Sequence, residues 1–152
     1  MIKKITIYFI AIIFLSSCGF KPIYSNNEVN FYLSKIEVSG EKSINNQITS
    51  SLKTYKNKKN KDNKFFINVS STKEKKIVAK DSKGNASSFK LTINSQIIVV
   101  KNDKVEKSKK FSEDFIYNNR NKKFELKQYE KNIQENLTNK IIENIILYLY
   151  EN

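Results

Sequence analysis

Residues 89–99 read FKLTINSQIIV and carry the clearest strand pattern in this chain of 152 residues. The apolar positions of one parity are Phe89, Leu91, Ile93, Ile97 and Val99, and the polar positions between them are Lys90, Thr92, Asn94 and Gln96. Successive side chains of a strand point to opposite faces. A period of two kept for this length therefore predicts a long strand with one buried face.

Three further segments alternate in the same way. The first runs from Phe31 to Val38, where the alternation shifts by one position and predicts a bulge. The second runs from Phe65 to Val69, with a weaker extension to Ala79. The last is a fourth strand, whose predicted inward face holds Val105, Phe111, Phe115 and Tyr117. Gly40 is predicted to end the first strand, and turns are predicted at residues 81–85 and at Asn102-Asp103. Residues 57–63 are almost all lysine or asparagine and predict a solvated loop.

Two segments show helical spacing instead. The first is predicted over Ser43 to Lys56, with Ser43 as its N-cap and an apolar stripe at Ile44, Ile48, Leu52 and Tyr55. The second is predicted from Phe124 to Tyr150, with a stripe at Leu126, Tyr129, Ile133, Leu137 and Ile141. Beyond Ile141 it is apolar nearly all round, so its last turns must be covered by the core or by a docking partner.

The predicted order is therefore β-α-β-β-β-α. Four strands with one apolar face and two helices with one stripe each predict an α+β fold. Its architecture is a two-layer sandwich, in which a four-stranded, mainly antiparallel sheet packs on two helices. The domain is expected to span residues 31–152.

The N-terminal segment has the pattern of an export signal. Lys3 and Lys4 precede an apolar run from Ile5 to Leu15, about half the ~20 residues that a membrane-spanning helix needs. Leu15-Ser16-Ser17-Cys18 then resembles the lipobox of bacterial lipoproteins, whose cysteine receives a lipid and becomes the new N-terminus. The resemblance implies a signal peptide at 1–17, an acylated N-terminus and tether at 18–30, and anchoring at the periplasmic side of the outer membrane, because Gly19 rather than Asp follows the cysteine.

The composition excludes several kinds of chemistry. The chain has no histidine, three glycines, and Cys18 as its single cysteine. A serine triad, a histidine or thiolate metal site and a glycine-rich phosphate loop are therefore not expected. We expect binding or structural work rather than catalysis, no metal, and no cofactor beyond the covalent lipid on Cys18. A periplasmic enzyme that uses carboxylates is the weakest of the readings considered.

The charge is strongly positive. Lysine and arginine number 28 against 15 acidic residues, a net +13, and Arg120 is the sole arginine. Two explanations stay open: an AT-rich genome that favours lysine, or attraction to an anionic partner such as phosphorylated lipid. Nucleic acid is disfavoured because arginine, the usual reader of base edges, is nearly absent.

The predicted topology gathers the cations at two poles. One holds Lys56, Lys58, Lys59, Lys61, Lys64, Lys101 and Lys104, and the other holds Lys42, Lys80, Lys83, Arg120, Lys122 and Lys123.

Residues 18–24, CGFKPIY, resemble the start of mature LptE-type lipopolysaccharide-assembly lipoproteins, especially the alphaproteobacterial branch. The predicted element order and Tyr117-Asn118 before a polar loop are similar to that family too. The resemblance implies a plug inside the LptD β-barrel that helps the barrel assemble and assists lipopolysaccharide insertion into the outer leaflet. It makes Lys80, Lys83, Lys101 and Lys104 candidate lipopolysaccharide contacts. The alternative is a structural or adaptor lipoprotein of another outer-membrane assembly.

Overall fold

A computed structural model describes residues 31–56 and 63–151 of the chain. The elements are β1 (Phe31–Gly40), α1 (Lys42–Leu52) with a short 3-10 turn (Lys53–Tyr55), β2 (Asn63–Lys80), β3 (Ala86–Lys101), β4 (Lys104–Asn118) and α2 (Lys123–Tyr150). The predicted order β-α-β-β-β-α is confirmed. The signal segment 1–17 and the tether 18–30 lie outside the described residues, as do Lys58, Lys59 and Lys61.

The four strands form one sheet in the order β1-β2-β3-β4. β1 runs parallel to β2, and the other two pairs are antiparallel, so the sheet is mixed but mainly antiparallel, as predicted. The predicted bulge in β1 is confirmed, because the register with β2 shifts between Leu33 and Lys35. The parallel pairing follows from α1, which leaves the end of β1 and returns the chain to the start of β2.

The helices cover one face of the sheet. Ile44, Ile48 and Leu52 of α1 are fully buried, and they share one core with the inward residues of all four strands and the stripe of α2. The last turns of α2 belong to this core, since Ile141, Ile145 and Leu149 are buried. The two-layer α+β sandwich is thus confirmed. Neither helix in the described regions combines the length and apolar content that a membrane span requires.

β1 and α1 are short relative to the rest of the sheet. β1 ends at Gly40, opposite Ser71, whereas β2 continues for nine residues to Lys80. As a result α1 packs only over the half of the sheet near Phe31, and the other half is covered by α2 alone. We call the two ends of the sheet the Phe31 end, where β1 begins and the β3–β4 turn lies, and the Gly84 end, where the β2–β3 turn lies.

Three detailed predictions are wrong. Ser43 is not the N-cap of α1, because the helix begins at Lys42 after Glu41, and the Ser43 hydroxyl instead donates to the Glu41 carboxylate at 3.2 Å. Val105 and Phe115 are not in the core but exposed. The helices do not cover the edge strand β4 at Phe115, and a register shift places Val105 opposite Val100, on the face away from the helices. Lys42 does not belong to the Gly84 end, because β1 stops halfway along β2.

Candidate functional site

The four lysines predicted to contact lipopolysaccharide fall into two separated pairs. Lys80 and Lys83 flank the β2–β3 turn at the Gly84 end, whereas Lys101 and Lys104 flank the β3–β4 turn at the Phe31 end. β2 spans the distance between the two ends, and its 18 residues extend for roughly 55 Å. The four lysines therefore cannot contact one small ligand together.

The Gly84 end is the more apolar of the two. Eight large apolar residues are substantially exposed among those the structure describes, and five of them lie at this end: Ile77, Val78, Phe115, Ile116 and Phe124. Phe124, at the start of α2, is 81% exposed. They do not form one patch, because Phe115 lies opposite Leu91 on the helical face of the sheet, whereas Ile116 lies opposite Lys90 on the other face.

Cations lie among these apolar side chains. The members are Lys80, Lys83, Arg120, Lys122 and Lys123. Lys122 pairs with Glu125 at 2.8 Å, and the Arg120 guanidinium stacks 4.1 Å from the centre of the Tyr129 ring. The described ion pairs do not involve Lys80, Lys83 or Lys123. The surface thus offers uncompensated positive charge beside apolar area.

The turn that carries Lys83 is built by Asp81. Its carboxylate accepts hydrogen bonds from the backbone N–H groups of Asn85 and Lys83, each at 2.9 Å. Donation from Asn85 and Lys83 holds the pKa of Asp81 below its ordinary value. The charged form of Asp81 is therefore used within the turn, where it fixes the position of the neighbouring lysines.

A cleft of about 910 Å³ opens on the helical side of this half of the sheet. It is lined by Ser43, Gln47, Lys73, Lys75, Leu91, Phe124, Lys127, Gln128, Glu130, Lys131, Gln134, Glu135 and Asn139. The cleft exists because α1 ends its cover at the level of Ser71. The sequence carried no signal for it, since it depends on the relative lengths of β1 and β2.

Many polar groups of the cleft bind one another. Gln47 Nε2 donates to Asn139 Oδ1 at 2.7 Å, and Gln134 Nε2 donates to the Ser43 hydroxyl at 2.9 Å. Lys73 Nζ donates to Gln134 Oε1 at 2.9 Å. This network ties α1, α2 and β2 together. These hydrogen bonds are exposed to solvent, and they add to the shared core that holds the helices on the sheet.

Glu130 is the most constrained carboxylate of the cleft. Its Oε1 accepts hydrogen bonds from Lys75 Nζ at 2.5 Å and from the Tyr117 hydroxyl at 2.7 Å. Burial alone would raise the pKa of Glu130, but the two hydrogen bonds outweigh it and hold that pKa below its ordinary value. Burial, together with Glu130, raises the pKa of Tyr117. Glu130 is thus a charged structural acceptor rather than a proton donor at neutral pH.

The described residues of the Gly84 end offer cations and exposed apolar side chains. No group of three or more Asp, Glu or Cys side chains within residues 31–56 and 63–151 is placed to hold a metal ion. The surface combines apolar side chains with lysines, which suits a ligand that is itself both apolar and anionic.

Comparison with known proteins identifies the fold. No protein-family model matches the chain, and no curated protein matches it in sequence. Solved structures of bacterial lipoproteins do share its architecture. Rare lipoprotein B from Shewanella oneidensis aligns with a TM-score of 0.53 at 12% identity, covering 76% of this chain and 96% of that one.

Two further structures agree. An uncharacterized lipoprotein B from Nitrosomonas europaea gives a TM-score of 0.55 at 15% identity over 84% of this chain and 90% of that one. A minor lipoprotein from Acinetobacter baumannii gives 0.56 at 11% identity over 77% and 90%. At these identities the likeness establishes a common fold. The chain is therefore an α+β sandwich of the kind found in these bacterial lipoproteins.

Proposed function

We propose that this chain is an outer-membrane lipoprotein of the LptE type, which plugs and helps assemble an LptD-like β-barrel and assists lipopolysaccharide insertion into the outer leaflet. The proposal rests on two features that occur together in this chain. A lipobox-like segment at residues 15–18 precedes a domain whose fold is that of solved bacterial lipoproteins. The CGFKPIY segment at 18–24 narrows the proposal to the LptE type.

The Gly84 end supports a role in handling an anionic glycolipid. Lipopolysaccharide presents phosphates next to acyl chains, and the Gly84 end carries Lys80 and Lys83 as well as exposed Ile77, Val78 and Phe124. Each lysine near an anionic lipid surface contributes up to ~1 kcal/mol, and apolar contact adds to it. We therefore assign lipopolysaccharide contact to Lys80 and Lys83 rather than to Lys101 and Lys104.

A rigid domain suits the plug role. Both helices and all four strands share one hydrophobic core, which gives the domain a defined shape. A plug works by filling and bracing the lumen of its barrel, which requires shape and surface rather than a catalytic constellation.

The proposal is tested by isolating the partner. The outer membrane is extracted in mild detergent, the protein is recovered through a tag after Asn152, and the proteins that accompany it are identified. A large β-barrel in near-stoichiometric amount is the expected result. An unrelated outer-membrane lipoprotein with the same tag serves as the control. Recovery of the protein without a barrel would overturn the plug and favour an adaptor lipoprotein.

A further inference from the structure

Lys101 and Lys104 are left without a role by the assignment of lipopolysaccharide contact to the Gly84 end. They lie at the Phe31 end, and the chain enters the domain at the same end. Phe31 is fixed there by aromatic contacts, with ring centres 5.5 Å from both Tyr55 and Tyr150. Cys18 is separated from Phe31 by residues 19–30, which reach at most ~40 Å. The proposed lipid anchor is therefore joined to the Phe31 end.

The β3–β4 turn at this end is tight and places like charges opposite each other. Asn102 and Asp103 have φ angles of 50° and 60°, and Lys101 pairs directly with Lys104 across the two strands. Such φ values are those of a two-residue hairpin turn, which fixes the turn rigidly. Like charges directly opposite in a sheet are destabilising. Lys101 Nζ also lies 5.6 Å from the centre of the Phe65 ring, and Lys104 is at the turn itself, so both cations lie at the Phe31 end.

Two more lysines and an apolar side chain complete the surface. Lys64 lies at the start of β2 opposite Tyr32, and Lys56 bridges to Leu33. The described ion pairs do not involve Lys56, Lys64 or Lys104. Asp103 and Glu106 oppose part of this charge. Val105, next to Lys104, is 67% exposed. The Phe31 end therefore presents a net positive surface with one apolar side chain at its tip.

We propose that the Phe31 end is a membrane-facing surface, on which Lys56, Lys64, Lys101 and Lys104 contact the anionic phospholipid headgroups of the leaflet that holds the anchor. The inference rests on the proposed lipid anchor at Cys18. It concerns the free lipoprotein, before a partner is bound. Its consequence is orientation: the sheet stands away from the leaflet, and the Gly84 end points away from it.

The screening length and the reach of residues 19–30 both favour this orientation over the inverted one. Charges in physiological salt are screened beyond ~8 Å, so the lysines act only when the Phe31 end touches the surface. At contact each lysine raises the affinity for the anionic surface by about fivefold. The opposite, inverted orientation would require Phe31 to stand roughly 55 Å from the leaflet, the length of β2. That exceeds the ~40 Å reach of residues 19–30.

The orientation is measured with the full acylated chain in vesicles. Because Cys18 carries the lipid, one added cysteine gives a unique thiol for a fluorophore, either at Val105→Cys for the Phe31 end or at Ser82→Cys for the Gly84 end. Lipids with a nitroxide on the headgroup quench a fluorophore that approaches them. Vesicles are made of phosphatidylcholine alone or with added phosphatidylglycerol. We expect quenching at position 105 to exceed that at position 82 by about threefold or more with the anionic lipid at low salt, and by less with phosphatidylcholine alone, where only the tether favours the Phe31 end.

Charge-neutralising variants test whether these lysines are responsible. Replacing Lys64, Lys101 and Lys104 with Gln should reduce the difference between positions 105 and 82 to that seen with phosphatidylcholine alone. Replacing Lys42, Lys127 and Lys140 with Gln removes the same net charge elsewhere and should preserve it. Equal quenching at both positions, or a difference insensitive to phosphatidylglycerol and to the first variant, would overturn the membrane-facing surface. If the acylated chain does not co-float even with vesicles of phosphatidylcholine alone, the lipid anchor is refuted, and the membrane-facing surface with it.

Discussion

Ser71 and Ser95 lie directly opposite each other on β2 and β3, both are buried, and only one of the two hydroxyls is hydrogen-bonded within the described part of the chain. Ser71 Oγ donates to Asn45 Oδ1 at 2.7 Å, and Asn45 Nδ2 donates to the Ser39 carbonyl at 2.8 Å. Ser95 is 2% exposed, and its Oγ has no partner there. The two serines thus allow a buried hydroxyl with a hydrogen-bond partner to be compared with one that has none, at the same level of the core.

Alanine at the two positions should have opposite consequences. Ser71→Ala leaves the buried amide oxygen of Asn45 without its donor and should lower the free energy of unfolding by about 1–3 kcal/mol. Ser95→Ala removes an unsatisfied buried hydroxyl and should be neutral or stabilising. Urea denaturation of both variants measures the difference. An equal loss in both would show that a hydrogen bond from Ser71 is not what stabilises the junction of α1 with the sheet.

The two glycines with positive φ make a second matched pair. Gly40 has φ +93°, and a Cβ at that position would lie 2.0 Å from the Ser71 carbonyl oxygen. Gly84 has φ +83°, but a Cβ there would meet nothing within 4 Å. Gly84→Ala should therefore cost about 1–2 kcal/mol of unfolding free energy from backbone strain alone. Gly40→Ala adds a backbone clash and should cost at least about 3 kcal/mol. Similar thermal unfolding of the two variants would contradict the close approach of Gly40 to β2.

Glu130 predicts a pH dependence of stability. Its pKa is lowered in the folded protein from an ordinary value of 4.5 by the hydrogen bonds from Lys75 and Tyr117. A lowered carboxyl pKa stabilises the fold above the ordinary value, and that contribution is lost as the pH falls through the folded pKa. Glu130→Gln should flatten the decline in unfolding free energy between about pH 5 and pH 2. Tyr117→Phe, which leaves Lys75 in place, should flatten it only in part. An unchanged decline in Glu130→Gln would refute the role of this carboxylate.

Local patterns predicted the elements well because each pattern reflects a difference between two faces. In β3, Leu91 and Ile93 face the helices while Asn94 faces solvent, and the alternation shows this without knowledge of the partners. The same logic failed at Val105 and Phe115. Phe115 has the correct parity, but whether an edge strand is covered depends on where α2 crosses it, which is a long-range property. At Val105 the register shifts by one residue, and this bulge places Val105 opposite Val100 on the outer face.

The candidate site was predictable only in its charges. The lysines of the turns could be assigned to two ends because turn residues and strand order fix them. The apolar character of the Gly84 end was not predictable from Ile77 or Val78, which are typical of any strand. On the helical face it arises because β1 ends at Gly40 while β2 continues, so α1 does not cover Ile77 or Phe115. Lys42 was misplaced for the same reason.

The separation of the lysine pairs predicts different contributions to glycolipid binding. Replacing both Lys80 and Lys83 with Gln should weaken binding of purified lipopolysaccharide by up to about 30-fold, since each lysine at an anionic surface contributes up to ~1 kcal/mol. Replacing both Lys101 and Lys104 with Gln removes the same charge at the other end and should change binding much less. Binding is measured with the full chain by fluorescence titration at fixed salt. Equal losses in the two variants would indicate attraction by net charge rather than a site at the Gly84 end.

The anchor itself is open to a direct test at Cys18. If the cysteine accepts the lipid, Cys18→Ser should abolish acylation and leave a soluble or signal-retained form. The apolar run from Ile5 to Leu15 is too short to span a bilayer, at about half of ~20 residues, so the uncleaved signal would hold the protein far less firmly than an acyl anchor does. Membrane fractionation and the mass of the N-terminal peptide measure both effects. Ser17→Ala, which keeps a small residue before the cysteine, is the control and should fractionate as the parent. Normal outer-membrane fractionation of Cys18→Ser would refute the lipobox, because no other cysteine in the chain could carry the lipid.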